Sequence, residues 1–376
     1  MEIYQQLIKN NQSFDFKSNE KAQLVLCFGN KTMLKNKETI TKIMQRFPNA
    51  FNLFCSTAGE ILGDNVYDNS ISLTAITFSK TVVKATCNNI ADCTDSYDAG
   101  KNIASKIDQN GLRYVLLISD GSIVNGSELI RGINEVIDNK IPITGGLAGD
   151  GTAFESTLTG VNISPESGRI IAVSFYGDHL KISHGSMGGW EPFGLERIVT
   201  KSEGNVLYEI DGKSALDLYK NYLGKYADDL PGSALLFPLS VKINGGGDTV
   251  VRTILSVNHD NKTMSFAGDI ETGAKVRFMK ANFDKLVDAA SLAANQSLTE
   301  FKDIQPDLAI LISCVGRKAI LSERIDEEVE AVKDALPDKT YLAGFYSYGE
   351  ISPLKPNTSC ELHNQTMTVT CLQEVE

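Results

Sequence analysis

The chain writes one short turn three times. "CSTAGEI" ends at Ile61, "GGLAGDG" at Gly151 and "FYSYGEI" at Ile351; each closes an apolar run on a glycine and an acid. The segments ahead of the turns also match. "LVLCF" (24–28) reads as a buried strand, and Ile40, Ile43, Met44 and Phe47 after it lie on one helical face, with Pro48 just beyond. "AFNLFCST" is the next strand. The second copy runs from "YVLLIS" (114–119), with Asn125 and Ser127 as cap candidates, through the stripe Leu129, Ile133, Val136 to "IPITGGLAGDG". The third runs from "LAILISC" (308–314), with Ser322 as cap, through Ile325, Val329, Val332 and Leu336 to Pro337 and "TYLAGFYSYGEI". A strand, a helix and a second strand joined over this distance form a parallel crossover unit. Repetition of that unit predicts an α/β fold. Two of the turns lead into alternating strands: Asn69 precedes "SISLTAITF" and Asn364 precedes "QTMTVTCL".

The stretch between the second and third copies differs. "RIIAVSFYG", "LKISHGS", "ALLFPLSVKI", "VVRTILSV", "TMSFAGDI" and "KVRFMKA" are short strands, with hairpin turns expected at "GGGD" (245–248) and "HDNK" (259–262). Helices are expected near 214–223 and 283–301, the latter with Phe283, Leu286, Val287, Ala290 and Ala294 on one face. At 376 residues the chain is too long for one ordinary core. The expectation is therefore an α/β protein of repeated strand-helix-strand units with Gly-acid turns, in two packed halves with mixed sheets. The halves are placed at 22–200 and 201–371, with the border somewhere in 180–213.

Charge and cysteine usage narrow the function. A net charge of −11 repels phosphate backbones and argues against nucleic acid as a partner. No apolar run reaches the roughly 20 residues of a membrane span, and no signal-peptide pattern opens the chain. Seven cysteines without a CxxC pair point to reduced thiols and a cytoplasmic location.

The turns are the first site candidates. In a parallel arrangement they stand at the carboxyl ends of strands, where ligands collect in open α/β sheets. Gly59, Gly149 and Gly349 allow close approach to the backbone, and Glu60, Asp150 and Glu350 can accept from an amine or hydroxyl. Each acid can equally hold its own turn; Thr57 to Glu60 fits a capping box. "TGGLAGDG" lacks the helix and lysine of a phosphate cradle. The four histidines form no metal-ligand spacing, and no catalytic residue or metal site emerges. Cys55 at a strand end has no basic neighbour in sequence to activate it, and an enzyme of unknown reaction, such as a hydrolase using Cys55 or a serine, stands as an alternative; "SDG" (119–121) is only a fragment of a cation loop. Trp190, in "GSMGGWEPFG", can stack on a ligand or plug the joint between the halves. His363, near the third turn, can bind a ligand, serve as an axial ligand of a haem, or sit as a hydrogen-bonded histidine at the edge of the core.

In order along the chain, "FCSTAGEI", "ITGGLAGDG", "GWEPFG", "DGKSALDLYKNYLG", "LLFPLSV", "FAGDI", "GFYSYGEI" and "LHNQTMTVT" resemble the FIST family, with its N-terminal and C-terminal FIST domains. The resemblance runs from about residue 22 to 371. It implies an intracellular sensory module that binds a small ligand such as an amino acid, and no catalytic chemistry. Some members resemble haem-based nitric-oxide sensors, which would use His363. The resemblance carries a C-terminal motif onto His363, Asn364 and Gln365. With no room for a fused output domain, a separate signalling partner is expected. The expected ligand residues are thus Thr57, Gly59, Glu60, Gly149, Asp150, Trp190, Tyr348, Gly349, Glu350, His363, Asn364 and Gln365, lining one pocket.

Overall fold

A computed structural model describes residues 1–9, 19–230, 232–242, 249–301, 304–355 and 357–375. The repeat is real, and each unit is larger than its motif. A unit opens with a leading edge strand, then has an opening strand, a helix, a closing strand, the Gly-acid turn, a short strand and a return strand. The opening strands are Leu24–Gly29, Leu112–Ser119 and Leu308–Cys314; the closing strands are Phe51–Ser56, Ile143–Leu147 and Tyr341–Ser347. Each pair is parallel, as the crossover predicts. The return strands Ser70–Thr77, Arg169–Tyr176 and Met367–Glu374 run antiparallel on the other side of the opening strands. The leading strands Glu2–Lys9, Val82–Asn89 and Leu180–Met187 pair outside those.

The short strands after the turns leave their own units. Glu60–Leu62 pairs with the closing strand of the third unit, Thr159–Val161 with that of the first, and Gly349–Pro353 with that of the second. The three sheets are thus joined in a ring by exchanged strands, and the Gly-acid turns are the crossings between sheets.

Opening strands are apolar throughout because both faces are covered. Leu26 and Phe28, Leu116 and Ile118, and Ile310 and Ile312 point into one shared core where the three sheets meet. The alternate residues face helices: Val25 and Cys27 pack under Lys37–Arg46, and Val115, Leu117, Ala309 and Leu311 pack under the helices of the other two units. Asn36 caps the first of these helices and Asn125 the second, Gly126–Asn134. Ser322 does not cap the third. At φ 49° it ends a short helix, Val315–Leu321, that the sequence pattern hid, and Ile325–Ala335 begins without a side-chain cap.

A separate curled sheet is inserted in the third unit. Its strand Glu191–Glu203 pairs with Lys275–Lys280 at one end and Val206–Ile210 at the other. The border expected at 200/201 falls inside that strand. Helix Ala215–Leu223 fills the concave side around Tyr219. The turn at 259–262 joins Ile254–Asn258 to Thr263–Phe266; the one expected at 245–248 lies outside the described residues. Helix Phe283–Ser297 returns the chain to the third unit, burying Leu286, Ala290 and Ala294 while Phe283 stays exposed.

Candidate functional site

Two of the turns are built alike. Thr57 Oγ1 donates to Glu60 Oε1 at 2.7 Å and Ser70 Oγ to Glu60 Oε2 at 2.7 Å. Ser347 Oγ donates to Glu350 Oε1 at 2.7 Å, and Thr366 gives Oε2 its hydroxyl at 2.9 Å and its N–H at 3.0 Å. The residues ahead of Ser70 and Thr366, Asn69 and Gln365, both hold positive φ, 56° and 64°. Each acid thus ties the start of an exchanged strand to the start of a return strand. Both are interior, at 1% and 0% exposure. Burial pushes the Glu60 carboxyl up to about 7 and the Glu350 carboxyl up to about 8.

Asp150 works differently. It accepts from Lys31 Nζ at 2.7 Å, from the N–H groups of Ser156 and Glu155, and from the Tyr348 hydroxyl. Burial raises its carboxyl, but these donors together overcome that and hold it below its ordinary value. It staples the second turn to both other units.

Backbone hydrogen bonds join the converging turns: Ala58 N donates to Tyr346 O, Gly149 N to Ser56 O and Tyr348 N to Leu147 O, all within 3.1 Å. His363 is buried and its Nε2 bonds Ser352 O at 2.9 Å; burial holds the ring down at about 4, hence neutral. The ring is enclosed, with Nε2 engaged by the Ser352 carbonyl. Asn364 Oδ1 accepts from Thr253 N at 3.3 Å. Gln365 O accepts from Trp190 Nε1 at 2.9 Å, and Trp190 plugs the joint with Met279, Leu286, Ile320 and Leu321. Asp120, of "SDG", is filled by the N–H groups of Ser122, Ile123 and Gly168. Burial first, then the Asp120 charge, push the Cys55 thiol well above its usual value, which leaves it unreactive.

Of the expected ligand residues, Tyr348 lines a cavity. It has a volume of about 300 Å³ and lies between the body and the inserted sheet. The loop 121–126 and Leu147 form one wall, and Asn205, Leu255, Phe266 and Gly268 the other. Its place follows from topology: it caps the carboxyl ends of the parallel strands Leu112–Ser119 and Ile143–Leu147. Phe154 stacks on Tyr348 with ring centroids 4.5 Å apart. Phe154 is 47% exposed and held at φ 54°, a costly backbone for a bulky residue, and such strain clusters at ligand sites. One side of the cavity ends where Asn125 Nδ2 donates to Asp269 Oδ1 at 3.0 Å. Beyond it lies a second cavity of about 240 Å³, lined by Ser127, Asn134, Arg252, Asp269 and Glu361. Arg252 is buried, donates to the carbonyls of Leu362 and Asp269, and is pulled down to about 10 by burial.

The FIST N domain pattern matches residues 23–213, and the FIST C domain pattern matches 215–353. The chain belongs to the FIST family. FIST domains are associated with sensing in signal transduction. Among relatives, the protein named "Uncharacterized protein MJ1623" of Methanocaldococcus jannaschii is 25% identical over 350 residues, covering 84% of this chain and 63% of its own length. This FIST protein therefore spans less than two thirds of that relative.

Several residues that make the site were missed in the sequence. Lys31 and Asn205 belong to no motif, and Ser70 and Thr366, within "SISLTAITF" and "LHNQTMTVT", gave no sign of the acids they bond. Arg317 and Glu328 form a fully buried pair at 2.6 Å that also takes Ser313 and Tyr346 hydroxyls. One signal was available: Glu328 follows Ile325 by three and so interrupts the apolar stripe of its helix.

Proposed function

We propose that this FIST protein is a non-enzymatic, cytoplasmic sensor of a small polar metabolite such as an amino acid. The ligand sits in the cavity between the body and the inserted sheet, and a separate signalling protein reads the bound state. The observation that carries this reading is the junction itself. Two separately cored parts enclose a volume at the low end of the usual ligand range, beside an exposed aromatic in strained backbone. The Gly-acid turns frame the site from behind, and Tyr348 connects them to it. A ligand touching both walls shifts the equilibrium between junction states in proportion to its difference in affinity for them.

The test is thermal shift followed by calorimetry against an amino-acid library. A compound that raises Tm should bind about tenfold or more weakly to Phe154→Ala and Asn205→Ala. Glu60→Gln and Glu350→Gln should keep its affinity within about twofold. A library in which no compound moves Tm defeats the reading.

A further inference from the structure

We infer that the junction cavity holds its ligand through a primary amine, in the place a lysine of the chain fills at the other two crossings. The inference rests on the sensor reading above and names the chemistry of the same site.

Each exchanged strand enters a host sheet, and the segment after the host's opening strand lies over the crossing. At the first turn the host is the third unit. Its Lys318 Nζ donates to Ala58 O at 2.9 Å and pairs with Asp68. The packing is close: a Cβ on Gly59 would lie 2.4 Å from that Nζ. At the second turn the host is the first unit, whose Lys31 Nζ reaches Asp150 Oδ2 at 2.7 Å and Ser156 Oγ at 3.1 Å. At the third turn the host is the second unit. Its segment after Leu112–Ser119 reads Asp-Gly-Ser-Ile-Val-Asn-Gly, with no cationic side chain. That crossing has the cavity instead, bounded by Tyr348 of the turn and by Ser122, Ile123 and Asn125 of the host.

The walls suit an ammonium group on a short apolar stem. The stacked pair Phe154 and Tyr348 offers an aromatic face that attracts cations. Asn205 Nδ2 donates to Phe266 O at 2.8 Å, and its Oδ1 has no protein partner among the described residues and is free to accept. Leu147, Leu255 and Leu362 surround the remainder. A net charge of −11 favours a cationic guest over an anionic one.

The chain supplies its own control. Ile123, in the host segment that follows Leu112–Ser119, is 59% exposed and lines the cavity. Ile123→Lys should place an amine where the ligand's would sit, without disturbing the core. Calorimetry on the full chain would use isoamylamine and 4-methylpentanoate, which share a stem and differ in the charged end. The amine should bind at least about tenfold more tightly than the acid, and Ile123→Lys should weaken the amine about tenfold or more with an unchanged melting curve. Ile123→Glu should strengthen it. Equal binding of the two probes, binding of neither, or amine affinity unmoved by Ile123→Lys would overturn the inference. A library hit that persists in Ile123→Lys would overturn it while leaving the sensor reading intact.

Discussion

Glu60 and Glu350 are buried acids that hold exchanged strands in place, and their energetics are set by burial. Their carboxyls stand at about 7 and about 8 in the fold, against an ordinary value near 4.3 in the unfolded chain. The folded state therefore keeps protons that the unfolded state has released. The stability they contribute is full below about pH 4.3 and is lost as pH rises through 7 and 8, on the order of a few kcal/mol in all. Wild-type Tm should fall between pH 5 and 9, and Glu350→Gln should flatten that slope; a parallel slope in the variant would contradict the assignment. Arg317 and Glu328 give the opposite case, a charged pair with no exposure. Arg317→Ala should cost about 3–5 kcal/mol by denaturant titration, because it strands a buried carboxylate. Replacing both by apolar residues of similar size should cost less than the single change. At this scale the sequence was half legible. Thr57 and Glu60 lie three apart and read as a capping pair, whereas Ser70 and Thr366 reach the acids only through an intervening turn in left-handed backbone.

The repeated element explains both what periodicity revealed and what it concealed. Apolar opening strands, helical stripes and Gly-acid turns were all visible because each is a local pattern. The destination of the exchanged strands was not. Glu60–Leu62 and Thr159–Val161 are three residues long, too short to carry a face preference, so the neighbouring sheet determines their pairing. The closing strands carry a further constraint. A Cβ on Gly145 would lie 1.8 Å from Leu117 O, and one on Gly344 would lie 1.8 Å from Leu311 O. These positions correspond across two units. Gly145→Ala and Gly344→Ala should each lower stability by about 2 kcal/mol or more through forced backbone shifts, measured by urea denaturation. Gly63→Ala, with no neighbour within 4 Å, pays only for its φ of 64° and should cost less.

At the scale of the molecule, strand exchange makes the body one cooperative unit. The second unit's sheet contains Gly349–Pro353 and the third unit's contains Glu60–Leu62, so a fragment ending near residue 200 lacks partners on the edges it must bury. Such a fragment should show no cooperative melt alone and should recover one when co-expressed with residues 201–376. The inserted sheet has its own core and meets the body beside the third turn. The family resemblance had implied a sensory module. The cavity proposed to seat the ligand was out of reach, because its walls come from segments far apart in the chain. The most direct test is a structure of the full chain with a library compound that raises Tm. Difference density is expected against Phe154 and Tyr348, with an amine near Asn205. Density beside Arg252, or enclosed between Glu60 and Glu350, with that cavity empty would contradict the proposal.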